Sequence, residues 1–303
     1  MGGVVSQPAD RPIVLRAPAK VNLYLAVGGK RPDGYHEVET VMQAVSLADD
    51  VHLRPAPVLS VIIEPSLGLP PEDNLAHRAA RALAQALGRK PEVAILITKR
   101  IPAQAGLGGA SADAAAVLTG LAVQWDVPAS LAPLVREVAA SLGADVPFFL
   151  GPGTALLGER GDRPLRTLPT PQLDLVLVRP AVAVSTAAAY AAFDEGSHVA
   201  PPGADGMIRA CESGDAGQVA RLLYNNLTDA STRLAPQIAD ALAFLTGAPG
   251  VLGAAMTGSG SAVFGVCESG DAARRVAASA AERGWWSVEA TSVSEGAAIV
   301  EGA

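Results

Sequence analysis

The run from Pro102 to Asp113, Pro-Ala-Gln-Ala-Gly-Leu-Gly-Gly-Ala-Ser-Ala-Asp, is the stretch of this 303-residue chain best suited to chemistry. Gly106, Gly108 and Gly109 let a backbone come close to a phosphate, and the alanine-rich stretch behind them, Ser111–Trp125, reads as a helix. The free N–H groups of a first helical turn carry roughly half a positive charge, so a glycine loop ahead of a helix is an anion site. Two common versions of such a loop are excluded. No Gly-Lys-Ser/Thr is present, so this is not a Walker loop. The spacing of the glycines does not give G-x-G-x-x-G, and no suitable acidic residue follows, which disfavours a dinucleotide-binding oxidoreductase. A tight turn before a close-packed helix would use the same glycines, so the loop must be weighed with its company. That company is Ala17-Pro18-Ala19-Lys20-Val21-Asn22, Gly143-Ala144-Asp145-Val146-Pro147 and Thr257-Gly258-Ser259-Gly260-Ser261.

These segments need elements to hold them. Ile13–Val27, Val51–Leu53 and Val58–Ile63 read as strands of one sheet. Asn74 is placed to cap a helix carrying Leu75, Ala79, Ala82, Leu83, Ala86 and Leu87 on one face and stopping at Gly88. A strand at Glu92–Thr98 runs directly into the glycine loop, giving the order strand, loop, helix. A helix near Ser130–Leu142 leads into Gly143–Pro147, and Gly151–Asp162 is rich in turn residues, so a domain boundary is expected near Gly158. Beyond it come a strand (Leu173–Val178), helices (about Ser185–Phe193, Asp215–Tyr224 and Leu234–Leu245), strands Val251–Met256 and Ala262–Cys267, a helix (Asp271–Arg283) and a strand (Ser287–Val293). The expected fold is α+β in two domains, residues 12–157 and 158–303, with residues 1–11 a frayed end.

Half of the residues are hydrophobic and 17% are charged, enough to bury a large core. The net charge of −7 and the lack of any basic run argue against a nucleic-acid partner. No stretch approaches about 18 apolar residues, so no membrane span is expected. Cys211 and Cys267 lie far apart without metal-ligand spacing, which fits a reducing cytoplasm. The chain has only four lysines, Lys20, Lys30, Lys90 and Lys99, and two of them fall beside the motifs.

Taken in order, the Lys20 segment, the glycine loop, Gly143–Pro147 and Thr257–Ser261 resemble the GHMP kinases, and the resemblance runs from about Arg16 to Val293. Lys30-Arg-Pro-Asp-Gly-Tyr-His36 is similar to the branch of that family that phosphorylates 4-diphosphocytidyl-2-C-methyl-D-erythritol. The resemblance implies a two-domain GHMP kinase with its active site in the cleft between the domains. It implies ATP as phosphate donor, Mg²⁺, that cytidyl alcohol as acceptor at its 2-hydroxyl, and a place in non-mevalonate isoprenoid synthesis. Phosphoryl transfer asks a protein mainly for positioning and charge stabilisation, with a carboxylate to take the hydroxyl proton.

By the same resemblance Asp145 is the base and Lys20 its partner, with Asn22 adjoining. Pro102, Ala103, Gln104, Ala105, Gly106, Leu107, Gly108, Gly109, Ala110, Ser111 and Ala112 line the ATP phosphates, and Asn74 and Lys99 lie on the adenine side. Tyr35 and Tyr190 stack on cytosine, His36 bonds its edge, Thr186 contacts substrate, and Gly258 and Ser259 close the cleft. On bare sequence several of these have plainer readings. Lys20 could be a solvated lysine, Asp145 a turn cap, Tyr190 a core residue of a short helix, and Thr257–Ser261 a glycine hairpin. Ala110 and Ala112 stand where many relatives have Gly and Ser, so Ala110 must have negative φ. No paired carboxylates accompany the loop, leaving Ser111 as the candidate metal contact. The alternative activity is a GHMP kinase for another alcohol, such as homoserine or mevalonate. A monomer or a homodimer is expected.

Overall fold

The computed structural model describes residues 12–68, 70–196 and 199–300, and the expected frayed end at residues 1–11 lies outside them. In chain order the elements are β1 (Ile13–Lys30), β2 (His36–Pro55), β3 (Ser60–Glu64), α1 (Leu75–Ala86), β4 (Val93–Thr98), α2 (Gly109–Gln124), α3 (Ala132–Leu142) and α4 (Val146–Phe149). There follow β5 (Thr154–Gly158), β6 (Arg163–Thr167), β7 (Asp174–Arg179), α5 (Thr186–Asp194), α6 (Asp205–Ser213), α7 (Ala216–Arg221), β8 (Tyr224–Asn225) and α8 (Thr228–Leu234). The chain continues with α9 (Gln237–Gly247), β9 (Val251–Met256), β10 (Val263–Cys267), α10 (Gly270–Glu282), β11 (Trp286–Thr291) and β12 (Ala298–Ile299).

One sheet runs β12-β1-β2-β4-β3, with β5 beside β2, β6 beside β5 and β8 beside β1. The other runs β11-β7-β10-β9. The hairpin of β5 and β6 spans residue 158, and β8 and β12 return from the later half of the chain to the first sheet.

Alternation along the strands distributes the core. In β7, Leu175 and Leu177 face the first sheet, while Val176 and Val178 face the core under α5, α9 and α10. In β1, Leu15 and Ala17 pack with α1 and α2, yet Ala19, Val21 and Leu23 pack toward the second sheet. The face changes at an irregularity in the β1–β2 ladder between Pro18 and Ala19, where two extra β2 residues interrupt the pairing. That change of face aims Lys20 and Asn22 at the helical side, where the glycine loop lies.

The strand reading of Val51–Leu53 is corrected to one 20-residue strand. Its irregular register and polar content hide its period from inspection. β6 gave no signal because all five of its side chains are exposed. Tyr224, expected at a helix end, is instead in β8, with its ring stacked 5.4 Å from that of Tyr24.

Candidate active site

The glycine loop forms between the end of β4 and the start of α2. Left-handed backbone occurs at Gln104 (φ 54°), Gly106 (φ 76°) and Gly108 (φ 74°). Ala110 is helical, which settles the loop geometry that its methyl left open, and α2 begins two residues earlier than expected. No side chain caps α2, whose N-cap is Gly108. Its first N–H groups are therefore available to an anion. Two glycines are required by close approach. A Cβ on Gly106 would lie 2.2 Å from the Thr257 carbonyl oxygen, and one on Gly108 would lie 2.9 Å from Phe149 Cζ and 3.0 Å from Lys20 Cγ.

Lys20 is 3% exposed. Its ammonium donates to Asn22 Oδ1 at 2.8 Å and lies 3.5 Å from Asp145 Oδ2. A buried ammonium needs such partners. Asn22 Oδ1 also accepts from the Gly258 N–H at 2.9 Å and the Thr257 hydroxyl at 3.1 Å, while its amide donates to Thr40 Oγ1 at 2.9 Å. One asparagine thus joins the lysine to the Thr257–Ser261 loop, which lies more than 200 residues further along the chain. That loop is held from beneath by Asn225, whose amide donates to the Met256 carbonyl at 2.8 Å and the Gly258 carbonyl at 2.9 Å. Asp145 precedes α4 but makes no capping hydrogen bond there, so the turn-cap reading has no support in the geometry.

These groups open into a cavity of about 620 Å³. It is lined by Lys20, Asn22, Asn74, Lys99, every loop residue from Pro102 to Ser111, Asp145, Thr186, Tyr190, Gly258 and Ser259. Ala112 is fully buried and does not line it. Asn74 does both things suggested for it, lining the cavity while accepting from the Ala76 N–H at 2.7 Å to cap α1. Thr186 and Ser259 meet across the cavity wall, hydroxyl to hydroxyl at 3.1 Å. Burial and the negative charge of Asp145 push the Tyr190 phenol up to about 12.

Tyr35 and His36 are not among the lining residues. Tyr35 is 57% exposed, with the Arg160 guanidinium 5.0 Å from its ring. His36 is buried, its ring 5.0 Å from that of Tyr190 and its Nε2 2.6 Å from Asp194 Oδ1. Residues the sequence did not single out also line the cavity, among them Leu25, Val38, Thr40, Met42 and Arg160, and Asp113 from the end of the glycine run lines it too. The apolar ones carry only the signature of core strands, so composition gave no means of separating them from packing. Arg160 sits in the turn joining β5 to β6 and would have needed the pairing of that hairpin to be known.

Lys99 is pinned between two carboxylates, donating to Asp49 Oδ2 and, at 2.7 Å, to Asp113 Oδ2. Burial pushes the Asp113 carboxyl up to about 7, against the pull of the Lys99 ammonium. Among the described residues no group of three or more His, Cys, Asp or Glu side chains could hold a metal, and no helix is long and apolar enough to cross a membrane.

Residues 74–153 match the GHMP kinases N terminal domain, and residues 207–284 match the GHMP kinases C terminal region. The chain is 46% identical over 269 residues to a 4-diphosphocytidyl-2-C-methyl-D-erythritol kinase of Pelotomaculum thermopropionicum, a match covering 88% of this chain and 93% of the relative. A crystal structure of 4-(cytidine 5'-diphospho)-2C-methyl-D-erythritol kinase superposes with a TM-score of 0.77 at 35% identity, covering 93% of this chain and 99% of the other. A homoserine kinase from Cytophaga hutchinsonii has a TM-score of 0.75 at 20% identity over 98% and 100% of the two chains, a likeness of fold alone.

Proposed function

The chain belongs to the GHMP kinases, and from that premise we infer that its cavity is where the terminal phosphate of ATP passes to the 2-hydroxyl of 4-diphosphocytidyl-2-C-methyl-D-erythritol. The observation that carries the reading is the Lys20–Asp145 pair, 3.5 Å apart in the cavity that the glycine loop also lines. The loop amides and the N-terminus of α2 hold the phosphates. Asp145 accepts the proton of the attacking hydroxyl as that oxygen bonds to the terminal phosphorus and the bond from that phosphorus to the bridging oxygen breaks, releasing ADP. Lys20, held by Asn22, keeps that carboxylate oriented and offsets charge on the transferring group.

The acceptor's cytosine is held on the Tyr190 side of the cavity, with His36 fixed by Asp194 behind that ring and Tyr35 nearby. Thr186, Gly258 and Ser259 close over the substrate. The nucleotide phosphates lie in the half formed by residues 12–157, and the half formed by residues 158–303 supplies the closing loop. Magnesium, if bound here, would offset the negative charge of the ATP phosphates. Ser111, which lines the cavity at the start of α2, would offer that ion its hydroxyl, in keeping with an ion that retains several waters and takes few protein oxygens. The net charge of −7, the two buried thiols and the small-molecule acceptor fit work in the cytoplasm, apart from nucleic acid and membrane.

The test is ATP-dependent ADP release with this acceptor beside homoserine and mevalonate, with the product's phosphate placed by phosphorus NMR. Asp145→Asn is expected to lower turnover by about 10²-fold or more while nucleotide still binds. Activity confined to homoserine or mevalonate would overturn the substrate, and near-normal turnover of the variant would remove Asp145 from the mechanism.

A further inference from the structure

Asp49 lies on β2, is fully buried, and belongs to no motif in the chain. Its Oδ1 accepts the backbone N–H groups of Arg100, at 2.5 Å, and Ile101, at 2.8 Å. Its Oδ2 accepts from the Lys99 ammonium, which also donates to Asp113 Oδ2 at 2.7 Å. Lys99, Arg100 and Ile101 are the residues that run into the glycine loop, and Asp113 stands in the helix that leaves it. A single carboxylate therefore takes hold of the way into the loop directly and of the way out through one lysine. Contact is tight: a Cβ on Gly109, the first residue of α2, would lie 2.9 Å from Ile101 Cγ2 and 3.3 Å from Lys99 Nζ.

We propose that Asp49 is a positioning residue of the kinase, clamping both ends of the Pro102–Gly108 loop so that its amides hold the nucleotide phosphates in register. The inference rests on the reading of that loop as the ATP site. Lys99 acts through the same clamp: two of its three donors are taken by carboxylates, so its contribution to nucleotide binding is the shape of the loop. The geometry suits this purpose. The middle of the loop is held from outside, the Ala105 carbonyl accepting from the Ala262 N–H at 3.1 Å and the Leu107 carbonyl from the Lys20 N–H at 3.0 Å, and the Asp49 cluster adds the hold at its two ends. A buried cluster of one cation and two carboxylates is a costly way to gain stability and a good way to specify one arrangement.

Asp49→Asn keeps an oxygen for the two backbone donors but loses the ionic hold on Lys99. Asp113→Leu cuts the helical end alone and leaves Lys99 and Asp49 as a balanced buried pair, so the second variant stands if the first does not fold. Each should raise KM for ATP by about tenfold or more, with KM for the acceptor within about twofold of wild type and a cooperative thermal transition retained. Hydrogen exchange at the amides of residues 102–108 should quicken, while exchange in β7 and β10 stays as it was. Wild-type KM for ATP in both folded variants would overturn the clamp. So would a loss confined to kcat that follows the folded fraction. Failure of the wild-type protein to bind ATP would instead overturn the reading of the loop itself.

Discussion

Replacing Gly106 with alanine tests whether the two halves of the site are held in register by direct backbone contact. The added Cβ would lie 2.2 Å from the Thr257 carbonyl oxygen, 3.1 Å from its carbonyl carbon and 3.3 Å from the Gly260 nitrogen. Contacts of that kind settle near 3.3 Å, so one loop must retreat by about 1 Å. The backbone at residue 106 has φ 76°, where a Cβ costs about 1 kcal/mol more. Thr257 cannot retreat alone. Its hydroxyl bonds Asn22 Oδ1 at 3.1 Å and the Gly106 carbonyl at 3.2 Å, and Asn22 holds the Lys20 ammonium. A displacement of about 1 Å at reacting groups costs on the order of 10² in rate, and overpacking costs about 1–3 kcal/mol of stability. Gly106→Ala should therefore lose about 10²-fold in kcat with saturating ATP and acceptor, and melt several degrees lower by circular dichroism. Activity within about threefold of wild type would refute the reasoning, because it would mean the loops do not need this contact.

Lys20→Met removes the charge while keeping most of the volume. Turnover should fall by about 10²- to 10³-fold in single-turnover kinetics, with thermal stability little changed, since the buried ammonium also carries a desolvation cost. Burial pushes the thiols of Cys211 and Cys267 up to about 12 and about 11. Neither should react with Ellman's reagent until the protein unfolds. Above pH 9 the unfolded chain has released thiol protons that the folded chain still holds, so ν_U is smaller than ν_N and stability must fall as pH rises toward 11. Urea midpoints measured from pH 8 to pH 10.5 should decline, and replacing both cysteines with alanine should flatten the decline.

Much of the site could be read from sequence because its signals are local. The glycine spacing ahead of α2 records a backbone that must turn left-handed and pass close to Thr257, Phe149 and Lys20. The α1 pattern from Leu75 to Leu87 records one buried face, and Asn74 its cap. Four motifs in order named the family. Where the reading fell short, the signal was not local. β2 breaks its own alternation with irregular register, and β6 buries nothing, so neither shows a period of two.

What sequence determined by itself was the glycine loop, the helix behind it, and the lysine and aspartate that accompany it. Tertiary structure alone decided that Lys20 is buried rather than solvated, that Asp145 faces it, and that His36 is tied to Asp194 across 158 residues of chain. The clearest case is the pair Asp49 and Asp50. The two are identical neighbours, yet one is fully buried and grips the base of the glycine loop while the other reaches Arg16 and Arg100 nearer the surface. Successive residues of a strand point to opposite faces, and which face is covered depends on what the rest of the chain lays over it.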